Sequence, residues 1–217
     1  LARAVKGFGS VDVKYPNGES RTFEFGEKAL FTIPLNCSYR IFNGSGRESL
    51  RLSCTNNAPL VLNLFHNEKF VFENDFDFPE RVGADDHYSG EGEHLMVNRG
   101  DNVAEANLWE TNFVSDLTNF KLYAMDARGK GSLNVSFILA DSTMHAHSSE
   151  IPSGHYKKAH RHAAGTHVHA VSGVGYTLLW YEGDKEFVEI PWEHGFMYTP
   201  PFWMFHQHFN TGPEPAR

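Results

Sequence analysis

The chain has 217 residues, 41% of them hydrophobic and 14% aromatic, enough to bury a sizeable core in one large or two small domains. Its 19 Lys and Arg against 27 Asp and Glu leave a formal charge of -8, and no basic cluster could neutralise many phosphates, which excludes a general nucleic-acid partner. No apolar run approaches the roughly 18 residues of a membrane span, and the start "LARAVKGFGS" lacks the apolar stretch of a secretion signal, so the expectation is a soluble, cytoplasmic protein without a membrane partner.

In chain order the elements read as strands. "VDVKY" stops at the turn Pro16-Asn17-Gly18, and "RTFEF", "ALFTIP" and "APLVLNLF" follow. After them come "LNVSFILA", "YTLLWY" before Glu182-Gly183-Asp184, and "EFVEIPW". Helical periodicity is scarce. A turn or two of helix is expected in "NEKFVFENDF" or in "WETNFVSDLTNF", where Thr111, Asp116 and Thr118 offer caps. The acidic stretch from Asp75 to Arg99 reads as a connecting loop between residues 1–74 and 100–217. Cys37 and Cys54 are too few for a disulfide framework and read as buried free thiols.

An internal repeat appears when the segment from Gly7, "GFGSVDVKY", is laid under the segment from Gly173, "GVGYTLLWY". Towards the end of each copy Pro34 matches Pro201 and Asn43 matches Asn210, both 167 positions apart. At that offset His206 falls on Tyr39, which suggests one working site in the later copy and a structural earlier one.

"AHRHAAGTHVH", residues 159–169, carries His160, His162, His167 and His169. Residues two apart on a strand share a face, so His160 and His162 can aim inward together while Arg161 points away. His167 needs a turn or bulge at Ala163-Ala164-Gly165 to rejoin that face. His206, from a later strand, would close a metal site with His160 and His162, His167 being the fourth candidate ligand. Neutral imidazoles suit iron, copper, nickel and zinc, and an all-histidine set leaves the ion's charge uncompensated, so an anionic, chelating substrate is expected. Met204, His208 and His169 fall on the metal side and are candidate pocket residues. Lys157, Lys158, Arg161 and Arg217 are candidate partners for a substrate carboxylate, although parity turns Arg161 outward.

These residues resemble the cupin superfamily, whose two motifs are approximately G-x5-H-x-H-x3–4-E-x6-G and G-x5-P-x-G-x2-H-x3-N. The first reads Gly154, His160, His162, His167 where the family has Glu, and Gly173; the second reads Gly195, Pro201, Trp203 where the family has Gly, His206 and Asn210. The resemblance implies an all-β double-stranded β-helix, a jelly-roll bicupin whose N-terminal copy is incomplete because its H-x-H would lie before Leu1. "HRH" followed by a later His is similar to gentisate, salicylate and hydroxynaphthoate dioxygenases. That implies Fe(II), with Mn, Ni, Cu or Zn as alternatives, and a hydroxylated aromatic acid and dioxygen as small-molecule partners. The alternative readings are a metal-dependent decarboxylase or isomerase, and a non-enzymatic cupin that binds a small ligand. A homo-oligomer is a further expectation.

Overall fold

The computed structural model describes residues 1–76, 78, 85–97, 106–141, 143–162 and 165–217. The first strands are β1 (Ala2–Lys6), β2 (Gly9–Lys14), β3 (Ser20–Phe25), β4 (Leu30–Phe31), β5 (Ser38–Asn43) and β6 (Arg51–Cys54), followed by helices α1 (Ala58–Phe65) and α2 (Glu68–Phe72). Next come β7 (Glu93–Val97), β8 (Ala106–Glu110), β9 (Phe113–Val114), β10 (Tyr123–Ala124), β11 (Leu133–Leu139) and β12 (Met144–Glu150). The chain continues through β13 (Val168–His169), β14 (Val174–Trp180), β15 (Val188–Glu193), β16 (Met197–Tyr198) and β17 (Phe205–Asn210). The sheets run β6-β1-β4-β9, β10-β11-β8-β7 with β12 also on β11, β13-β16, β15-β14-β17 and β3-β2-β5.

Some local expectations differ from the structure, and one of the two places offered for a short helix holds it. "APLVLNLF" is helix α1, not a strand. Its apolar run never alternates, and Pro59 sits in the first turn, where its missing N–H costs nothing and its fixed φ favours a helix. "NEKFVFENDF" holds α2, with the Asn67 side chain accepting from the Phe70 N–H, but "WETNFVSDLTNF" forms the end of β8 and then β9. There the Thr111 hydroxyl accepts from the Phe113 N–H at 3.1 Å, an alternative to a helical cap. Of the acidic stretch 75–99, the described part includes a 3-10 turn at Asp85–Tyr88 and strand β7. Cys54 is exposed and Cys37 half-buried.

The chain divides into two compact units that interleave in sequence: residues 1–95, 108–117 and 137–146, and residues 96–107, 118–136 and 147–217. The first has an aromatic core in which Phe23 meets Tyr88, Phe113 and Phe31 at ring separations of 4.7, 5.0 and 5.5 Å. Alternation along β2 buries Val11 and Val13 completely, each side chain contributing roughly 1.5–3 kcal/mol.

The repeat is present in the backbone of both units. β2 lies between β3 and β5 as β14 lies between β15 and β17. Gly9 faces Asn43 across the first pair of strands, and Gly175 faces Asn210 across the second. Val13 faces Tyr39 where Leu179 faces His206. A Cβ on Gly9 would lie 2.1 Å from the Phe42 carbonyl oxygen, and one on Gly175 2.0 Å from that of Phe209, so only glycine fits at either place. The left-handed positions match as well: Lys28 and Gly195 have φ of 72° and 85°, Asn36 and Trp203 of 55° and 58°. Each copy of the repeat also closes on a similar side-chain turn. Asn43 Nδ2 donates to the Glu48 carbonyl at 2.7 Å and Asn210 Nδ2 to that of Glu214 at 2.8 Å.

No helix among the described residues is long and apolar enough to cross a membrane.

Candidate metal centre

The second unit builds its site on the β15-β14-β17 sheet. Pairing places Thr177 opposite His208 and Leu179 opposite His206 on one face, with Tyr176 opposite Phe209 and Trp180 opposite Phe205 on the other. The outer aromatics stack, Tyr176 on Phe209 at 4.7 Å and Trp180 on Phe205 at 5.5 Å. On the inner face Thr177, Leu179, His206 and Asn210 are buried.

The segment before His162 runs along β17. Tyr156 bridges to Phe209 and His160 to His206, so four steps on one chain span three on the other, a bulge that re-aims side chains. Lys157 is thereby buried, its N–H donating to the His208 carbonyl at 2.9 Å, while Lys158 is exposed. Arg161 turns outward as parity requires: it pairs with Glu182 at 2.9 Å and lies 4.5 Å from the Phe205 ring centre and 5.5 Å from that of Trp203.

His160, His162 and His206 converge, one nitrogen from each lying within 4.8 Å of the others. His160 Nε2 and His206 Nε2 are 3.1 Å apart. Two nitrogens each roughly 2.1 Å from a common ion, at angles of about 90–109°, would stand about 3.0–3.4 Å apart, so the spacing fits a shared metal. The opposite ring nitrogens fix the tautomers. His160 Nδ1–H donates to the Lys158 carbonyl at 3.1 Å and His206 Nδ1–H to the Met204 carbonyl at 3.3 Å. A carbonyl only accepts, so the neutral rings carry their protons on Nδ1 and present bare Nε2 lone pairs to each other, an arrangement that a cation relieves.

Burial pushes the His160 pKa down to about 4; the Lys158 carbonyl partly opposes this, and His206, Arg128 and His162 add to it. His206 is lowered by burial first and by His162 and Arg128 next. Both rings therefore remain neutral, metal-ready bases below the usual histidine range, His160 down to about pH 4.

The other candidates fall elsewhere. His167 is exposed and outside the trio, its ring 6.4 Å from that of His169, which pairs with Met197 between β13 and β16. The turn expected at Ala163-Ala164 lies outside the described residues, whereas Gly165 is exposed coil. Met204 serves through its main-chain carbonyl. Arg217 is engaged away from the trio, bonding Glu150 at 2.8 Å and the carbonyls of Thr118 and Phe120 at 2.7 and 3.0 Å. His208 stands beside the trio, its ring 5.5 Å from that of His206. Two neighbours carried little sequence signal: Thr177, a lone hydroxyl in an apolar strand, and Arg128, which follows no motif.

No family model matches the sequence, and no curated protein matches it. Solved structures do. Bacillus subtilis oxalate decarboxylase at pH 4.6 matches with a TM-score of 0.54 at 16% identity, over 99% of this chain and 59% of that one. An arginine-to-alanine mutant of the same enzyme matches with a TM-score of 0.54 at 16% identity, over 99% and 60%. A structure of that enzyme concerned with its Mn(II) centres matches with a TM-score of 0.52 at 17% identity, again over 99% and 60%. The chain thus spans about 60% of the length of these neighbours and shares their cupin fold, the double-stranded β-helix that the motifs implied.

Proposed function

We propose that this chain is a metal-dependent enzyme that binds a small, anionic, chelating carboxylate and cleaves it without net oxidation, as a decarboxylase does. The observation that carries the reading is the convergence of His160, His162 and His206 on the fold shared with oxalate decarboxylases. A divalent ion held by these three imidazoles would supply Lewis acidity toward the substrate's oxygens. Carbonyl bonds to His160 and His206 orient two ligand rings in advance. Arg128 adds positive charge beside the trio and Lys157 beside His208, which draws an anion toward the site. His167 stands outside the proposed ligand set because it is exposed and apart from the three.

Manganese and iron both suit such a site; the oxalate decarboxylase neighbour has Mn(II) centres, and iron is what the "HRH" resemblance implies. A second reading, an iron dioxygenase, is favoured by one feature: the ligand trio contains no carboxylate. Elemental analysis followed by parallel assays separates the two. The first reading expects CO2 release from oxalate or a 2-oxo acid without net dioxygen consumption. Stoichiometric oxygen uptake with a hydroxylated aromatic acid would replace it with the second.

A further inference from the structure

Beside the trio, His208 takes part in a network of its own. Its Nδ1 lies 2.8 Å from the Thr177 hydroxyl oxygen and 2.9 Å from that of Tyr198, and the two hydroxyls are 2.6 Å apart. Trp192 Nε1–H donates to the Thr177 hydroxyl at 3.1 Å. An indole only donates, so it takes one of the two lone pairs on the Thr177 oxygen. Two hydroxyl protons then remain to be placed inside the triangle. If His208 Nδ1 is bare, both are used, because Thr177 and Tyr198 can donate in series to that nitrogen. If Nδ1 is protonated, one hydroxyl proton has no acceptor inside the network, and Thr177 is fully buried.

A bare Nδ1, with the ring's own proton on Nε2, is therefore the arrangement that uses both hydroxyl protons within the triangle. This is the opposite tautomer to that of His160 and His206, on a ring 5.5 Å from that of His206 and 6.4 Å from that of His160.

Resting on the metal-carboxylate reading above, we propose that Thr177, Tyr198 and Trp192 are positioning residues that lock His208 as a neutral Nε2–H donor, and that this N–H binds a carboxylate oxygen of the substrate beside the metal. The structure of the site then selects for a ligand with one more oxygen than the metal itself engages. A dicarboxylate or a 2-oxo acid has that oxygen, and a simple diketone does not.

Histidine-labelled protein, free of metal, tests the lock by nitrogen NMR. His208 Nδ1 should show the unprotonated signature, and Thr177→Val with Tyr198→Phe should change the tautomer balance of His208 while His160 keeps its own. A protonated Nδ1 in the wild type would overturn the proposal. The donor role is read from cobalt-loaded protein titrated with oxalate. His208→Leu and Tyr198→Phe should weaken oxalate by about tenfold, a larger change than either makes in cobalt affinity, and His208→Gln, which retains an N–H, should restore part of the loss. Oxalate affinity unchanged in both weakened variants would refute the donor role while leaving the metal reading intact. A wild type that binds no cobalt would instead refute the metal reading and the oxalate site with it, and the NMR result would still decide the lock.

Discussion

Tyr39 and His206 occupy the same place in two sheets of the same register, yet Tyr39 is 57% exposed and His206 only 3%. The scaffolds around them agree in the close glycine, in the left-handed residues and in the closing asparagine turn. What differs is cover. The segment of residues 156–160 lies along β17 and bridges to it twice, whereas β5 is exposed along its whole length and pairs on one side, with β2, among the described residues. A β-unit of this kind is thus not a site by itself. It becomes one when a second segment brings further imidazoles and removes water, and removal of water is the first cause of the lowered His160 and His206 pKa values.

The strongest way to break the comparison is through the paired residues themselves. His206→Ala should cost roughly 1000-fold in metal affinity, one ligand's share of a binding energy on the order of 10 kcal/mol, while Tyr39→Ala leaves affinity unchanged. Competitive metal titration measures both, and equal losses would contradict a single site in the later copy. Gly175→Ala and Gly9→Ala come next. Each forces a Cβ against a carbonyl oxygen and should destabilise its own unit by about 3 kcal/mol in chemical denaturation. A large cost at one glycine and none at the other would mean that the two sheets are not equivalent.

Acid sharpens the contrast further. His160, at about 4 in the fold against an ordinary value of 6.5, and His206, also lowered, remain neutral where the unfolded chain takes up protons. Their contribution is complete above about pH 6.5 and is lost as pH falls toward 4. Urea unfolding at pH 7 and pH 4.5 should show this loss, and His160→Gln with His206→Gln should flatten the slope. The smallest effect belongs to the left-handed pair. Trp203→Gly relieves about 1 kcal/mol of backbone strain but gives up the Arg161 contact, worth about 0.5–1 kcal/mol, and Asn36→Gly relieves strain but loses the exposed amide bonds to the Asn74 and Phe76 carbonyls, so both melting temperatures should move by only a few degrees.

Much of this was legible in the chain. Gly9 and Gly175, Asn43 and Asn210, and the "HRH" with His206 all act through spacing, and spacing survives as cross-strand register. Trp203, where the related motif has glycine, showed as a departure in residue type, and its positive φ explains why glycine belongs there. Other features were hidden because they depend on contacts between segments. Strict alternation from His160 would put Lys158 inside and Lys157 outside; the bulge after Tyr156 reverses them. Thr177 meets His208 only because β14 and β17 pair in one register out of several that the sequence permits. "APLVLNLF" misled because eight apolar-rich residues carry too short a period to separate strand from helix.

His160 and His206 stand 46 residues apart, and the whole hairpin of β14 and β15 lies between them. An ion held by both would close a loop that contains this hairpin, a contact of high sequence separation and so one expected late in folding. Its effect on folding kinetics would then fall on the opening of the β14–β17 pairing, which it would slow, so that the ion would act as a latch on the closed site.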